Sequence, residues 1–134
     1  IVFRYAGDDV QGKMPQYEIG ELPDGFSENP QKGFCTAGMS VHYYEDKDGE
    51  AIVLRYIYMQ QGSMSGVDTE NSDIISVSVN GCDGYLIIPK EAGCNNTITW
   101  SDAESNLHFT IDAPLGKNDI LHIAESVYLV KTTK

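Results

Sequence analysis

The sequence predicts an α+β fold, an antiparallel sheet of about six strands with one C-terminal helix packed on one face. Three observations predict it. Apolar and polar residues alternate through much of the chain from Pro15 to Ile111, the period of a half-buried strand. Asp-Gly, Asn-Gly and proline punctuate that alternation. Beyond it the period changes, and Ile120, Leu121, Ile123, Ala124 and Val127 recur at helical spacing.

Residues 1–14 read as a loosely held leader and residues 15–134 as a single domain. Pro15 to Leu22 is the first expected strand, with Tyr17 and Ile19 on one face. Leu22-Pro23-Asp24-Gly25-Phe26 is a turn, because proline pre-sets φ and glycine supplies φ > 0. A polar stretch follows from Ser27 to Gly33. Met39 to Met59 is a hairpin around Glu45-Asp46-Lys47-Asp48-Gly49-Glu50. A two- or four-residue loop there pairs odd positions with even ones. It would place Met39, Val41 and Tyr43 on the core face with Ile52, Leu54, Tyr56 and Tyr58. The opposite, half-wet face then carries Ser40, His42, Tyr44, Val53, Arg55 and Ile57. Tyr44, Val53, Arg55 and Ile57 are its candidate interaction surface.

Gln60 to Asn71 is a polar loop of about a dozen residues, a length that is often functional or mobile. Asp73 to Val79 is a strand with Ile75, Val77 and Val79 on one face, and Asn80-Gly81 is a turn. Tyr85 to Ile88 is a short strand ended by Pro89. Thr97 to Ser101 is a strand with Ile98 and Trp100 inward, and Ser101 to Ser105 turns the chain. Asn106 to Ile111 follows with Leu107, Phe109 and Ile111 inward. The helix is expected from about Lys117 to Tyr128, with Gly116 at its N-cap and Asp119 favouring the positive end of the dipole.

Composition bounds the function. Nine basic and 20 acidic residues give a net charge of −11, a field that repels nucleic acid and anionic lipid. No apolar run approaches the roughly 18–20 residues of a membrane span. No basic n-region precedes an apolar h-region, so any signal or anchor is expected outside these residues. Cys35, Cys82 and Cys94 cannot all pair within one chain. The expected reading is three buried small side chains, with Cys82 and Cys94 as partners if a disulfide forms.

No catalytic, metal or cofactor residues emerge. Gly62-Ser63-Met64-Ser65-Gly66 lies in a loop and not in the strand-to-helix elbow that a nucleophilic serine needs. His42, His108 and His122 are expected to be solvated, with spacing that suggests no metal site. Asp46 to Glu50 lacks the frame of a calcium loop and reads as a hairpin turn. Asp68, Glu70 and Asp73 read as a solvated acidic loop. Most of Tyr43, Tyr44, Tyr56, Tyr58, Tyr85 and Trp100 point at the core by parity, with Tyr44 outward as the exception.

The order of motifs resembles a bacterial family, domain of unknown function 4367. Tyr17 with Leu22-Pro23-Asp24-Gly25-Phe26 resembles its opening. Tyr43-Tyr44 before an Asp-Gly turn, then Val77-Ser78-Val79-Asn80-Gly81 with Gly84-Tyr85-Leu86, resemble its middle. Thr97-Ile98-Thr99-Trp100, Leu107-His108-Phe109-Thr110-Ile111 and Ile120 to Val127 resemble its tryptophan strand, paired strand and terminal helix. The likeness runs from about Pro15 to Tyr128. Gly116 and Asp119 depart from it, standing where the family usually has a hydroxyl residue and glutamate. The last stretch is more faintly similar to the C-terminal domain of MucB/RseB-type anti-sigma regulators.

The resemblance implies the extracytoplasmic part of a membrane-anchored protein of a Gram-positive bacterium, without catalytic residues to carry over. The expected function is therefore a non-enzymatic sensor or protein-interaction module, including regulation of the anti-sigma type. Its partner would be a protein or a cell-envelope ligand. The alternative is a small-ligand or lipid carrier with a pocket between helix and sheet. A hydrolase using loop carboxylates needs converging acids, and a cystatin-like inhibitor needs a Q-x-V-x-G hairpin that the chain lacks.

Overall fold

The computed structural model describes residues 15–36, 38–59, 72–91 and 93–130. In chain order they form β1 (Tyr17–Ile19), β2 (Ser27–Glu28), β3 (Phe34–Cys35), β4 (Met39–Glu45), β5 (Ala51–Tyr58), β6 (Ser72–Val79), β7 (Cys82–Pro89), β8 (Asn96–Asp102), β9 (Leu107–Ala113), α1 (Lys117–Glu125) and β10 (Val127–Leu129). One antiparallel sheet of eight strands runs β2-β4-β5-β9-β8-β7-β6, with β3 also paired to β4; β1 and β10 make a separate two-stranded ribbon. The fold class is the expected one, but the strand count exceeds six. The dipeptide strands β2 and β3 fall in stretches too short to show a period, and the last strand was hidden in the expected helix.

The sheet is two blocks joined at one seam. Residues 72–113 meander through β6, β7, β8 and β9, and β9 then pairs with β5 of the preceding hairpin. Asn80 (φ 52°) and Gly81 (φ 87°) both have positive φ, the type I′ geometry of a two-residue hairpin, so Val79 faces Cys82. β7 begins at Cys82 and includes Pro89, so it is longer than the short strand expected. Ile75, Val77, Val79, Ile98, Trp100, Leu107, Phe109 and Ile111 all point inward as their alternation predicts.

The β4–β5 hairpin departs from expectation. Glu45 pairs with Ala51, leaving five residues, Asp46–Glu50, in the loop. Asp46 Oδ1 accepts from the amides of Asp48 and Glu50, and Gly49 takes φ 89°. An odd loop pairs even with even. Ser40, His42 and Tyr44 therefore face Tyr56, Leu54 and Ile52 on the inner side, and Met39, Val41 and Tyr43 face outward. One residue more in the turn than an even loop allows exchanges every side chain of β4 between faces.

The central inner row crosses the sheet from Cys35 through Ser40, Tyr56, Phe109, Trp100 and Gly84 to Val77. Trp100 stacks on Phe109 with ring centroids 5.1 Å apart and planes 9° from parallel. Gly84 makes room for it, because a Cβ there would lie 2.8 Å from Trp100 Cβ and 2.4 Å from the Thr99 carbonyl oxygen. The inner face is covered in two parts. Helix α1 buries Ile120, Ile123 and Ala124 against β8, β9 and β6. The ribbon covers the β5 side, where Tyr17 packs edge-on against Tyr56 and Phe109, at 5.3 and 5.0 Å.

The helix ends at Glu125, three residues before the expected Tyr128. Ser126 caps it, its amide and hydroxyl both bonding the Ile123 carbonyl, at 3.1 and 2.7 Å. Val127, Tyr128 and Leu129 then pair with Ile19, Glu18 and Tyr17. β-branched and aromatic residues favour that extended pairing over another helical turn. The leader 1–14 and the loop Gln60 to Asn71, with Gly62–Gly66, Asp68 and Glu70, lie outside the described residues.

Gly84→Ala should lower stability by about 1–3 kcal/mol, the usual cost of overpacking a filled core. A fall in the urea midpoint with an unchanged slope checks it.

Candidate functional site

The candidate interaction surface divides between the two faces. Val53, Arg55 and Ile57 stand on the outer face, as expected, with Arg55 exposed and the two aliphatic residues half-buried. Their cross-strand partners are Tyr43, Val41 and Met39. Phe34 of β3 faces Val41 and is 52% exposed. Tyr44 is the correction. It lies on the inner face at 2% exposure, and Tyr43 occupies the outward position that parity reasoning gave to Tyr44. The patch is therefore Met39, Val41, Tyr43, Val53 and Ile57 around Arg55, with Phe34 at its rim. Lys32 flanks it, 5.0 Å above the Tyr43 ring and 2.9 Å from Glu45 Oε1.

The same face continues across β9 and β8 as a polar ladder. His108 lies beside Ile57 and Ser101. Its Nδ1 is 2.8 Å from Ser101 Oγ, and its Nε2 meets Thr99 Oγ1. Thr99 also donates to the Phe109 carbonyl, and Thr97 donates to Asp112. Burial, and then the nearby Arg55 charge, hold the His108 imidazole below its ordinary pKa. His108 is thus half-buried and hydrogen-bonded, not freely solvated.

The inner face carries a second polar group. Burying Tyr44 and Tyr56 demands partners for two phenols. β1 supplies them. Gln16, Glu18 and Gly20 alternate toward β10, and the amides of Tyr17 and Ile19 point the other way. Tyr17 N–H donates to Tyr56 Oη at 2.8 Å, and Ile19 N–H donates to Tyr44 Oη at 3.3 Å. His42, expected in solvent, is 9% exposed between these elements. Its Nδ1 is 2.9 Å from Glu28 Oε2, and its Nε2 is 3.2 Å from Tyr56 Oη and 3.4 Å from Ser40 Oγ. Carboxylate, imidazole and hydroxyl stand in the order of a hydrolytic triad, but the Ser40 hydroxyl has no exposed surface. Hydrophobic parity could have found this cluster only with the correct loop length.

His122 is exposed on α1 and bonds Glu21. Asp73 is exposed in β6. All three cysteines are free: Cys35 and Cys94 are exposed and Cys82 is half-buried, so neither a Cys82–Cys94 disulfide nor a set of three buried thiols is present. Gln16 Nε2 donates to Cys35 Sγ at 3.1 Å. Burial, and then Asp102, Glu104 and Asp83, push the Cys82 thiol up. Among the described residues no group of His, Cys, Asp and Glu is arranged to hold a metal ion, and no helix is long and apolar enough to cross a membrane.

A mainly antiparallel α+β domain whose sheet is covered on one face by the helix and the ribbon is the class that these features define. Residues 16–127 match the family model of a domain of unknown function, DUF4367, and the chain belongs to that family. The match runs from the residue before β1 to the first residue of β10. No curated protein and no solved structure matches the chain significantly.

Tyr44→Phe leaves the Ile19 amide without its partner and should cost about 1–3 kcal/mol, while Tyr43→Phe on the outer face should stay within about 0.5 kcal/mol of the parent. Chemical denaturation of the two variants side by side checks the register. Burial pushes both the Tyr44 and Tyr56 phenols above their ordinary range. The folded chain therefore holds these protons at pH values where the unfolded chain has released them. Stability from this source is full below about pH 10 and declines above it. In an ultraviolet titration the Tyr44 and Tyr56 phenolates should appear last, together with the loss of near-ultraviolet circular dichroism.

Proposed function

We propose that the chain is a non-enzymatic sensor or protein-interaction module in the extracytoplasmic part of a membrane-anchored bacterial protein. The outer face of the sheet is its contact surface. The observation that carries the reading is that face. Met39, Val41, Tyr43, Val53 and Ile57 gather apolar surface on two adjacent strands, with the exposed Phe34 and Arg55 beside them. Apolar side chains clustered on an open face and rimmed by charge are the composition of a protein-contact surface. The non-enzymatic part is supported by the burial of Ser40, the serine hydroxyl beside the histidine–carboxylate pair on the inner face. The cellular context is supported by the resemblance to extracytoplasmic domains. Regulation of the anti-sigma type is the finer form of the same proposal, with a cell-envelope ligand as the other class of partner.

The exposed cysteines make the context directly testable. A membrane-impermeant maleimide applied to intact cells should label Cys35 and Cys94 of the full-length protein, and the labelled protein should sediment with membranes. Labelling that requires lysis would reject the extracytoplasmic placement. For the surface, a photo-crosslinking residue at Val53 should give a discrete adduct that Ile57→Glu abolishes without lowering the thermal midpoint. An unchanged adduct in that variant would reject the outer face.

A further inference from the structure

His42 joins four strands into one hydrogen-bonded chain. Glu28 reaches it from β2, Tyr56 from β5, and Tyr56 in turn holds the Tyr17 amide of β1. The direction of the chain follows from donor and acceptor chemistry. An ionised carboxylate only accepts, so His42 Nδ1 carries the proton shared with Glu28. Nε2 of the neutral ring is then an acceptor, and the Tyr56 hydroxyl donates to it. Tyr17 N–H donates to that same oxygen. Every bond thus points one way, from Tyr17 through Tyr56 and His42 to Glu28, and each polarises the next. The imidazole and phenol rings also stack, 19° from parallel at 5.8 Å.

We propose that this chain is a proton-governed latch on β1, released when His42 takes a second proton. A protonated Nε2 becomes a donor aimed at Tyr56 Oη, which already accepts from Tyr17. The phenol proton must leave the imidazole and turn toward Ser40, which faces Tyr56 across the β4–β5 pair. Oη then accepts from two sides, and the Tyr17 amide shares that oxygen with the imidazolium. The Tyr17 bond weakens while the Glu28–His42 contact becomes an ion pair. The other groups around the cluster are Tyr44 on β4, which feels Glu28 and Glu18, and Cys35 of β3, which faces Ser40 and acts on Tyr56. Glu28, one-third exposed, gives the buried ring a path to solvent protons. This inference goes beyond the sensor reading, which names no stimulus, and it stands or falls separately from it.

The structure supplies its own control. Ile19 is two residues along the same strand, and its amide is held by Tyr44 Oη, outside the His42 chain. Proton–nitrogen spectra of the full chain, followed from about pH 8 to pH 5, read both amides and the His42 ring together. The Tyr17 amide proton should move upfield with the midpoint of the His42 ring and exchange several-fold faster below it. Ile19 should not follow that midpoint. Tyr56→Phe should uncouple Tyr17 while His42 still titrates, and His42→Gln should abolish the Tyr17 step. A His42 ring that does not titrate over this range, a Tyr17 amide that ignores it, or two amides moving together would each overturn the latch. The wild-type comparison decides the matter even if a variant fails to fold.

Discussion

Tyr44 and Tyr56 stand on neighbouring strands of the inner face, and their hydroxyls terminate the free edge of β1. The rest of the molecule depends on that termination. A three-residue strand paired on one side only would otherwise bring two unsatisfied amides down onto an apolar sheet, at a desolvation cost of about 1–3 kcal/mol each. With the amides satisfied, the Tyr17 ring can close the aromatic row of Tyr56, Phe109 and Trp100. The ribbon then carries the two ends of the described chain across the sheet as one unit. Its placement is fixed again at Ser126, which bonds Gly20 through its carbonyl and Glu21 through its hydroxyl, and so ties the helix end to β1.

Whether those phenols are available is decided elsewhere, by the Asp46–Glu50 turn. Five residues with glycine at positive φ put Tyr44 inward; an even loop would have put it in water and left Ile19 bare. The same parity brings His42 under Glu28 and turns Val41 and Tyr43, both half-buried, to the outer face. One local turn therefore selects the polar cluster beneath the ribbon and the apolar patch on the opposite face together. The two faces cannot be altered independently, because a shift of one residue in β4 would exchange them.

Much of this was legible in the sequence where a single period decides. The alternation of Leu107, Phe109 and Ile111 fixes the inward face of β9, and Asn80-Gly81 fixes the β6–β7 register, because each depends only on neighbours in the chain. β4 was not legible in the same way. Met39, Val41 and Tyr43 are more apolar than Ser40, His42 and Tyr44, the set that the structure buries, and the partners that make burial of the polar set possible come from other strands, β1, β2 and β5. The helix end was hidden for a related reason. Val127 continues the helical stripe, but its preference for β1 is a tertiary fact. Of the candidate surface residues, Val53, Arg55 and Ile57 fall on the expected face because β5 is long enough to set its own parity. Tyr44 was misplaced because β4 inherits its parity from the turn.

Among the described residues, the outer face is the part that internal packing leaves unexplained. The inner face has a reason for each of its large residues: Gly84 admits Trp100, Trp100 stacks on Phe109, and Ile120 and Ile123 cover the row from above. On the outer face, Thr97 with Asp112 and Thr99 with His108 satisfy one another, so the centre of that sheet needs no cover. Val41, Val53, Ile57 and Met39 form no such closed set. Serine or threonine at these positions would pair across the strands equally well and keep the surface wet. Aliphatic residues there, beside the one described arginine and on a chain of net charge −11, are the reason that the proposed partner is one that covers apolar surface and not one attracted by charge alone.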